Sequence, residues 1–186
     1  AKQRNIFIPR VALNAPLQTL FANNYIQKLF KLVDSTDTHI TLELLQTAIF
    51  DNTDKKLMWH LDSLYEANVE IEIDDFGTGH TSILGLMAVR PTRLKIAKEI
   101  VMPMSDAPAY KQVVQSIVQI STSLGIEVMA EGVENEQMSS ALIQLGCPIQ
   151  QGYHFARPMR ADDILDACDP QKETSNGWSL PMKRAD

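Results

Sequence analysis

The chain has 186 residues, of which 45% are apolar, 22% charged and 6% aromatic, an ordinary globular composition with enough apolar content for one sizeable core. Seventeen basic residues against twenty-three acidic ones give a net charge of −6, and no Lys/Arg run exceeds two residues, which argues against an electrostatic grip on nucleic acid or an anionic membrane. No apolar stretch is long enough for a transmembrane helix and no leader pattern opens the chain, so the expectation is a soluble cytoplasmic protein.

Strand-like and helix-like segments then alternate. A short strand is predicted over residues 10–14, followed by helical spacing of Leu20, Phe21, Ile26, Leu29, Phe30 and Val33. Residues 39–44 form a β-rich run. Over 54–67, Leu57, Met58, Leu61, Leu64 and Tyr65 share one helical face, and at 69–74 the period switches to strict alternation of apolar and charged residues, as in a half-buried strand. A Gly-containing turn at 77–79 precedes a short apolar helix near 81–88 and a strand at 93–97. A long helix from Tyr110 to Leu124 is closed by Gly125, a strand follows at 127–131, and a helix runs from Glu136 to Leu145 before Gly146. The last strand is predicted from Ile149 to about Phe155, centred on 149–153, with a helix at 161–167 behind it. From Asp169 the Pro/Ser/Asn/Gly-rich segment has no periodicity and is expected to be a mobile tail. Cys147 and Cys168 have neither the spacing nor the number of a zinc site or disulfide framework.

Six strands, each followed by a helix or helical turn, argue for parallel α/β architecture, as a barrel or an open sheet. Neither GxGxxG nor GxxxxGK[ST] occurs, so the common Gly-rich phosphate loops are absent. The polar residues carry the most information. Asn14, Glu43, Asp74-Asp75, Lys95, Glu131 and Gln151 each fall at the carboxyl end of a different strand, the edge where βα loops assemble active sites. Three strands supply carboxylates and a fourth an amide oxygen, a donor set suited to Mg²⁺ or Mn²⁺, while Lys95 could neutralise a phosphate or position a water. Taken singly, each is an ordinary turn, capping or surface residue. Asp74-Asp75 is the exception, because adjacent carboxylates repel unless a cation compensates them.

Four ordered motifs give a resemblance. Asp74-Asp75-Phe76-Gly77-Thr78-Gly79, Leu94-Lys95-Ile96, Ala130-Glu131-Gly132-Val133-Glu134, and Gln151-Gly152-Tyr153 with Phe155 and Arg157-Pro158 are similar to successive signatures of the EAL family of cyclic di-GMP phosphodiesterases. Val11–Asn14 and Leu42-Glu43-Leu44 resemble the family strands that supply a metal-binding Asn and Glu. The resemblance implies a (β/α)8 TIM-barrel-like domain over residues 1–168. Such a domain binds the cyclic dinucleotide at its carboxyl rim and, when active, hydrolyses it to pGpG with two Mg²⁺ or Mn²⁺ ions. It further implies metal ligands at Asn14, Glu43, Asp74 and Asp75, catalytic roles for Glu131 and Lys95, and ligand contacts at Gln151, Lys95 and Pro158.

The departures are equally specific. The family's first two strand-helix units have no counterpart here, and Glu-Ala-Leu, which carries a metal ligand, occurs nowhere in the 186 residues. Ala97 replaces a metal-serving Asp, Gln46 replaces a Glu that steadies the loop after Asp75, Pro148 replaces an Asp and His80 a Tyr. The leading expectation is therefore a degenerate domain that binds cyclic di-GMP or a partner protein, including a second copy, without hydrolysis. An active phosphodiesterase completed by further sequence and a ligand-independent scaffold are the alternatives. Six strands of a barrel would leave open edges that extra sequence or a partner should cover.

Overall fold

The computed structural model describes residue 6 and residues 8–46, 55–79 and 82–168. The predicted tail at 169–186, His80, and the first residues of the helices predicted at 54–67 and 81–88 lie outside these described residues. Strands β1 (Arg10–Asn14), β2 (His39–Leu45), β3 (Glu70–Phe76), β4 (Arg93–Ile96), β5 (Glu127–Ala130) and β6 (Ile149–Gln150) form one sheet in sequential order, every neighbouring pair parallel. Helices α1 (Leu17–Leu20), α2 (Asn23–Asp34), α3 (Lys55–Glu66), α4 (Ile83–Val89), α5 (Lys98–Val101), α6 (Pro108–Ser123), α7 (Glu136–Gln144) and α8 (Ala161–Ala167) fill the connections, with a 3-10 turn at Met102–Ser105. The sheet curls into part of a (β/α) barrel.

Alternation along the strands explains the layering. Leu42 and Leu44, Ile71 and Ile73, Leu94 and Ile96, and Val128 and Ala130 are buried on one face of the sheet. They pack with Leu61 and Leu64, Leu86 and Val89, Val114 and Ile117, and Met138 and Leu142 from the covering helices. The opposite face is polar. At its amino end Arg93 bonds Glu72 at 2.5 Å and Glu127 at 2.6 Å, while Arg10 reaches Glu70 at 2.8 Å and Glu72 at 3.3 Å, and His39 lies 3.0 Å from Glu70. Burial pushes the Glu72 carboxyl above its ordinary range, and the Arg93 guanidinium opposes that push.

Two predicted elements differ from those observed. The helical stripe from Leu20 to Val33 is split, because Ala22 is extended (φ −86°, ψ 110°), yet Leu20 and Phe21 remain on the stripe since both segments face one core. The last strand stops at Gln150; residues 152–156 turn instead, with the Phe155 and Ala156 N–H groups donating to the Gly152 carbonyl. No helix among the described residues is long and apolar enough to cross a membrane.

One core residue makes stability depend on pH. His60 is 3% exposed, neither ring nitrogen has a hydrogen-bond partner among the described residues, and the ring packs edge-on against Trp59 and Phe21. Burial, aided by Lys56, depresses its pKa below the ordinary 6.5. A depressed folded-state pKa means that stability is full above the unfolded value and is lost as pH falls through the folded one. His60→Leu is expected to narrow the loss of urea stability between pH 7 and pH 5; parallel curves for variant and wild type would refute the assignment.

Candidate functional site

Consecutive strand residues normally face opposite sides of a sheet, so Asp74 and Asp75 need a device to act together. The β3–β4 register shifts between Ile73 and Phe76, and Asp75 adopts the left-handed region at φ 54°, uncommon for a residue with a side chain. The loop that follows is held from three sides. The Gly77 N–H donates to Gln46 Oε1 at 2.5 Å, the Thr78 hydroxyl donates to the Asp75 carbonyl at 2.9 Å, and the Ala97 N–H donates to the Phe76 carbonyl at 3.2 Å. As a result one carboxylate oxygen each from Asp74, Asp75 and Glu131 lie within 4.8 Å of one another. Gln46 thus keeps an acceptor on the loop without a charge.

Lys95, on β4, is the hub. Its ammonium lies 2.8 Å from Glu131, 2.9 Å from Asp74 and 3.1 Å from Glu43, with only 4% of its side chain exposed. Burial alone would push the Lys95 pKa down, but hydrogen bonds and charge interactions with Glu131 and Asp74 carry it above its ordinary value, so it stays protonated. Burial pushes the Glu131 carboxyl up, opposed by Lys95 and reinforced by Asp74 and Asp75. Asp75 is also raised, first by burial and then by Asp74 and Glu99, with Lys95 and Lys98 opposing. Four carboxylates around one ammonium leave a negative pole that attracts a divalent cation and repels a bare phosphate.

Asn14 pairs in register with Glu43 on the neighbouring strand. Gln151 lines a cleft of about 400 Å³ with Lys98, Met102, Glu131, Glu134 and Tyr153. Pro158 is exposed and does not line that cleft. Ala97 follows Lys95 and Ile96 directly after β4, is fully buried and has no ligand atom in its side chain. Gly152 is required by close approach, since a Cβ there would meet the Val133 carbonyl oxygen at 2.1 Å and its nitrogen at 2.3 Å. Sequence reasoning did not single out Lys98, Glu134 or Tyr153 as cleft residues; Arg157 stacks over the Tyr153 ring at 4.5 Å. The neighbouring Gln151-Gly152 motif was the available signal.

Known proteins share this frame. The family model described as the EAL domain matches residues 1–158. The cyclic di-GMP phosphodiesterase RocR of Pseudomonas aeruginosa is 39% identical over 98 residues, covering 53% of this chain and 25% of that protein. Among solved structures, the PaMucR phosphodiesterase in complex with c-di-GMP superposes with a TM-score of 0.76 at 27% identity, covering 83% of this chain and 64% of that one. Klebsiella pneumoniae BlrP1 with manganese and cyclic di-GMP gives a TM-score of 0.73 at 26% identity, covering 80% of this chain and 39% of that one. The chain therefore spans a quarter of the length of its curated relative RocR and part of each solved structure. With the family model running through all six strands and every rim residue described above, the chain belongs to the EAL domain family.

Proposed function

We propose that the chain is a cyclic di-GMP-binding EAL domain that does not hydrolyse its ligand. The observation that carries this reading is the buried methyl group of Ala97 at a rim that keeps its other polar groups. Asp74, Asp75 and Glu131 offer three oxygens close enough to share one divalent cation, Glu43 shares the Lys95 ammonium with Asp74 and Glu131, and Asn14 is the register partner of Glu43. That donor set fits one Mg²⁺ or Mn²⁺ ion, which when bound would polarise a phosphate oxygen as a Lewis acid. It does not fit a second, because position 97 has no ligand atom. The chain's own groups bind and orient: Lys95 fixes the carboxylates of Glu43, Asp74 and Glu131, and Gln151 lines the cleft beside Glu131.

The deciding measurement is titration with cyclic di-GMP at several Mg²⁺ concentrations. Affinity is expected to rise with Mg²⁺, each ligand strengthening the other by the same factor, and Glu43→Gln is expected to weaken that coupling. A dissociation constant that ignores both Mg²⁺ and Glu43→Gln would remove the rim from recognition. A second reading, a protein-docking scaffold that binds no nucleotide, has one observation in its favour: on α4, Ile83, Leu84 and Met87 are 53%, 77% and 55% exposed. Absence of any binding heat under all Mg²⁺ conditions would select it.

A further inference from the structure

The site presents an anion with a difficulty. Lys95, the basic residue that the motif places at the rim, already faces three carboxylates within 3.1 Å, so its charge is spent inside the protein. A cyclic dinucleotide carries two phosphates and must approach a rim on which acids outnumber that ammonium four to one. A single cation held by Asp74, Asp75 and Glu131 would offset part of the repulsion, and Ala97 has no ligand atom to hold another.

Lys98 occupies the position from which this deficit can be met. Among the described residues lining the 400 Å³ cleft it is the one basic side chain, alongside Glu131, Glu134 and Gln151. Its backbone is seated firmly. Gly132, at φ 70°, lies so close that a Cβ there would fall 2.5 Å from Lys98 Cβ and 3.3 Å from Lys98 Cα. The Glu131-Gly132 turn therefore fixes where the Lys98 stem leaves the wall, while the exposed ammonium end stays adaptable.

Resting on the cyclic di-GMP reading above, we propose that Lys98 supplies the positive charge that meets a phosphate of the bound dinucleotide, in place of a second metal ion. The interaction is a charge-assisted hydrogen bond from the ammonium to a phosphate oxygen, a binding contact with no chemical step. It makes Lys98 most important when divalent cations are scarce, because a cation at the carboxylates and the ammonium act on the same ligand charge.

The test is calorimetric titration of cyclic di-GMP into wild type, Lys98→Gln, Lys98→Arg and, as a control for overall charge, Lys31→Gln on α2, each in EDTA and in Mg²⁺ at low ionic strength. Lys98→Gln is expected to lose about tenfold or more in affinity in EDTA, in line with hydrogen bonds to charged groups. The loss should shrink in Mg²⁺, Lys98→Arg should keep most of the affinity, and Lys31→Gln should behave as wild type. Lys98 is exposed, and an unchanged circular dichroism spectrum verifies that each variant is folded. If wild type binds and Lys98→Gln binds equally well in EDTA, the role of Lys98 is overturned and the binding reading stands. If wild type binds under neither condition, both fall together.

Discussion

Replacing Lys95 with Met is expected to destabilise the fold by about 3–5 kcal/mol at pH 7, the cost of leaving buried charges without their partner. The Lys95 side chain is 4% exposed and those of Glu43, Asp74 and Glu131 only 14–17%, so solvent screens this cluster weakly. The pH dependence has a definite sign. In wild type the raised Lys95 pKa means that its contribution is present across acidic and neutral pH and is lost only in strong alkali. In Lys95→Met the Glu131 carboxyl, pushed up by burial and by Asp74 and Asp75, loses the ammonium that opposes that rise, and protonating it relieves the repulsion, so the penalty should shrink as pH is lowered. Millimolar Mn²⁺ should likewise stabilise the variant more than wild type, because a cation binding the native cluster selectively shifts the unfolding equilibrium. Urea unfolding at pH 7 and pH 5, with and without Mn²⁺, measures all three effects. A variant within about 1 kcal/mol of wild type at pH 7 would show the cluster to be effectively solvated, the outcome typical of exposed ion pairs.

That cluster shows where the sequence was readable. The position of β3 followed from alternation: Glu70 and Glu72 against Ile71 and Ile73 place charge on one face and the core on the other, and the boundaries of the first five strands differ from expectation by at most two residues. The last strand was overextended because Tyr153 and Phe155 look β-like locally, whereas the contact of Gly152 with the Val133 backbone turns the chain away. The rim residues were legible as polar groups at strand ends, but their mutual contacts were not. Nothing in the order Asp74-Asp75 announces a register shift and a left-handed Asp75, since both are settled by the neighbouring strand and by Gln46. Lys95 read as a phosphate contact because a motif gives a residue's place and not its partners; three carboxylates converge on it only after the strands tilt and curl. The ion network of Arg10, Glu70, Glu72, Arg93 and Glu127 was invisible for the same reason, as its members are far apart in sequence and adjacent across the sheet.

The 186-residue chain is expected to give no detectable pGpG from cyclic di-GMP in Mg²⁺ or Mn²⁺. Two-metal hydrolysis holds its ions about 3.5–4 Å apart to clamp the attacking and leaving oxygens. Here the described carboxylates gather oxygens for one ion, and the sequence contains no Glu-Ala-Leu to add another ligand. Even loss of a group that merely orients a ligand costs about 10–100-fold, and at position 97 the missing group is what the family resemblance assigns as a ligand itself. Ala97→Asp separates the two deficits. It adds a carboxylate at a fully buried position beside an already negative cluster, so the variant should be less stable than wild type in EDTA and should regain stability in Mn²⁺ as a cation compensates the added charge. Turnover should remain undetectable, because the Glu-Ala-Leu ligand is still absent. Chromatographic detection of pGpG from wild type, abolished by Asp74→Ala, would overturn the non-hydrolysing reading outright. Its appearance only in Ala97→Asp would show that the methyl group at 97 was the sole obstacle and that the rest of the rim is competent.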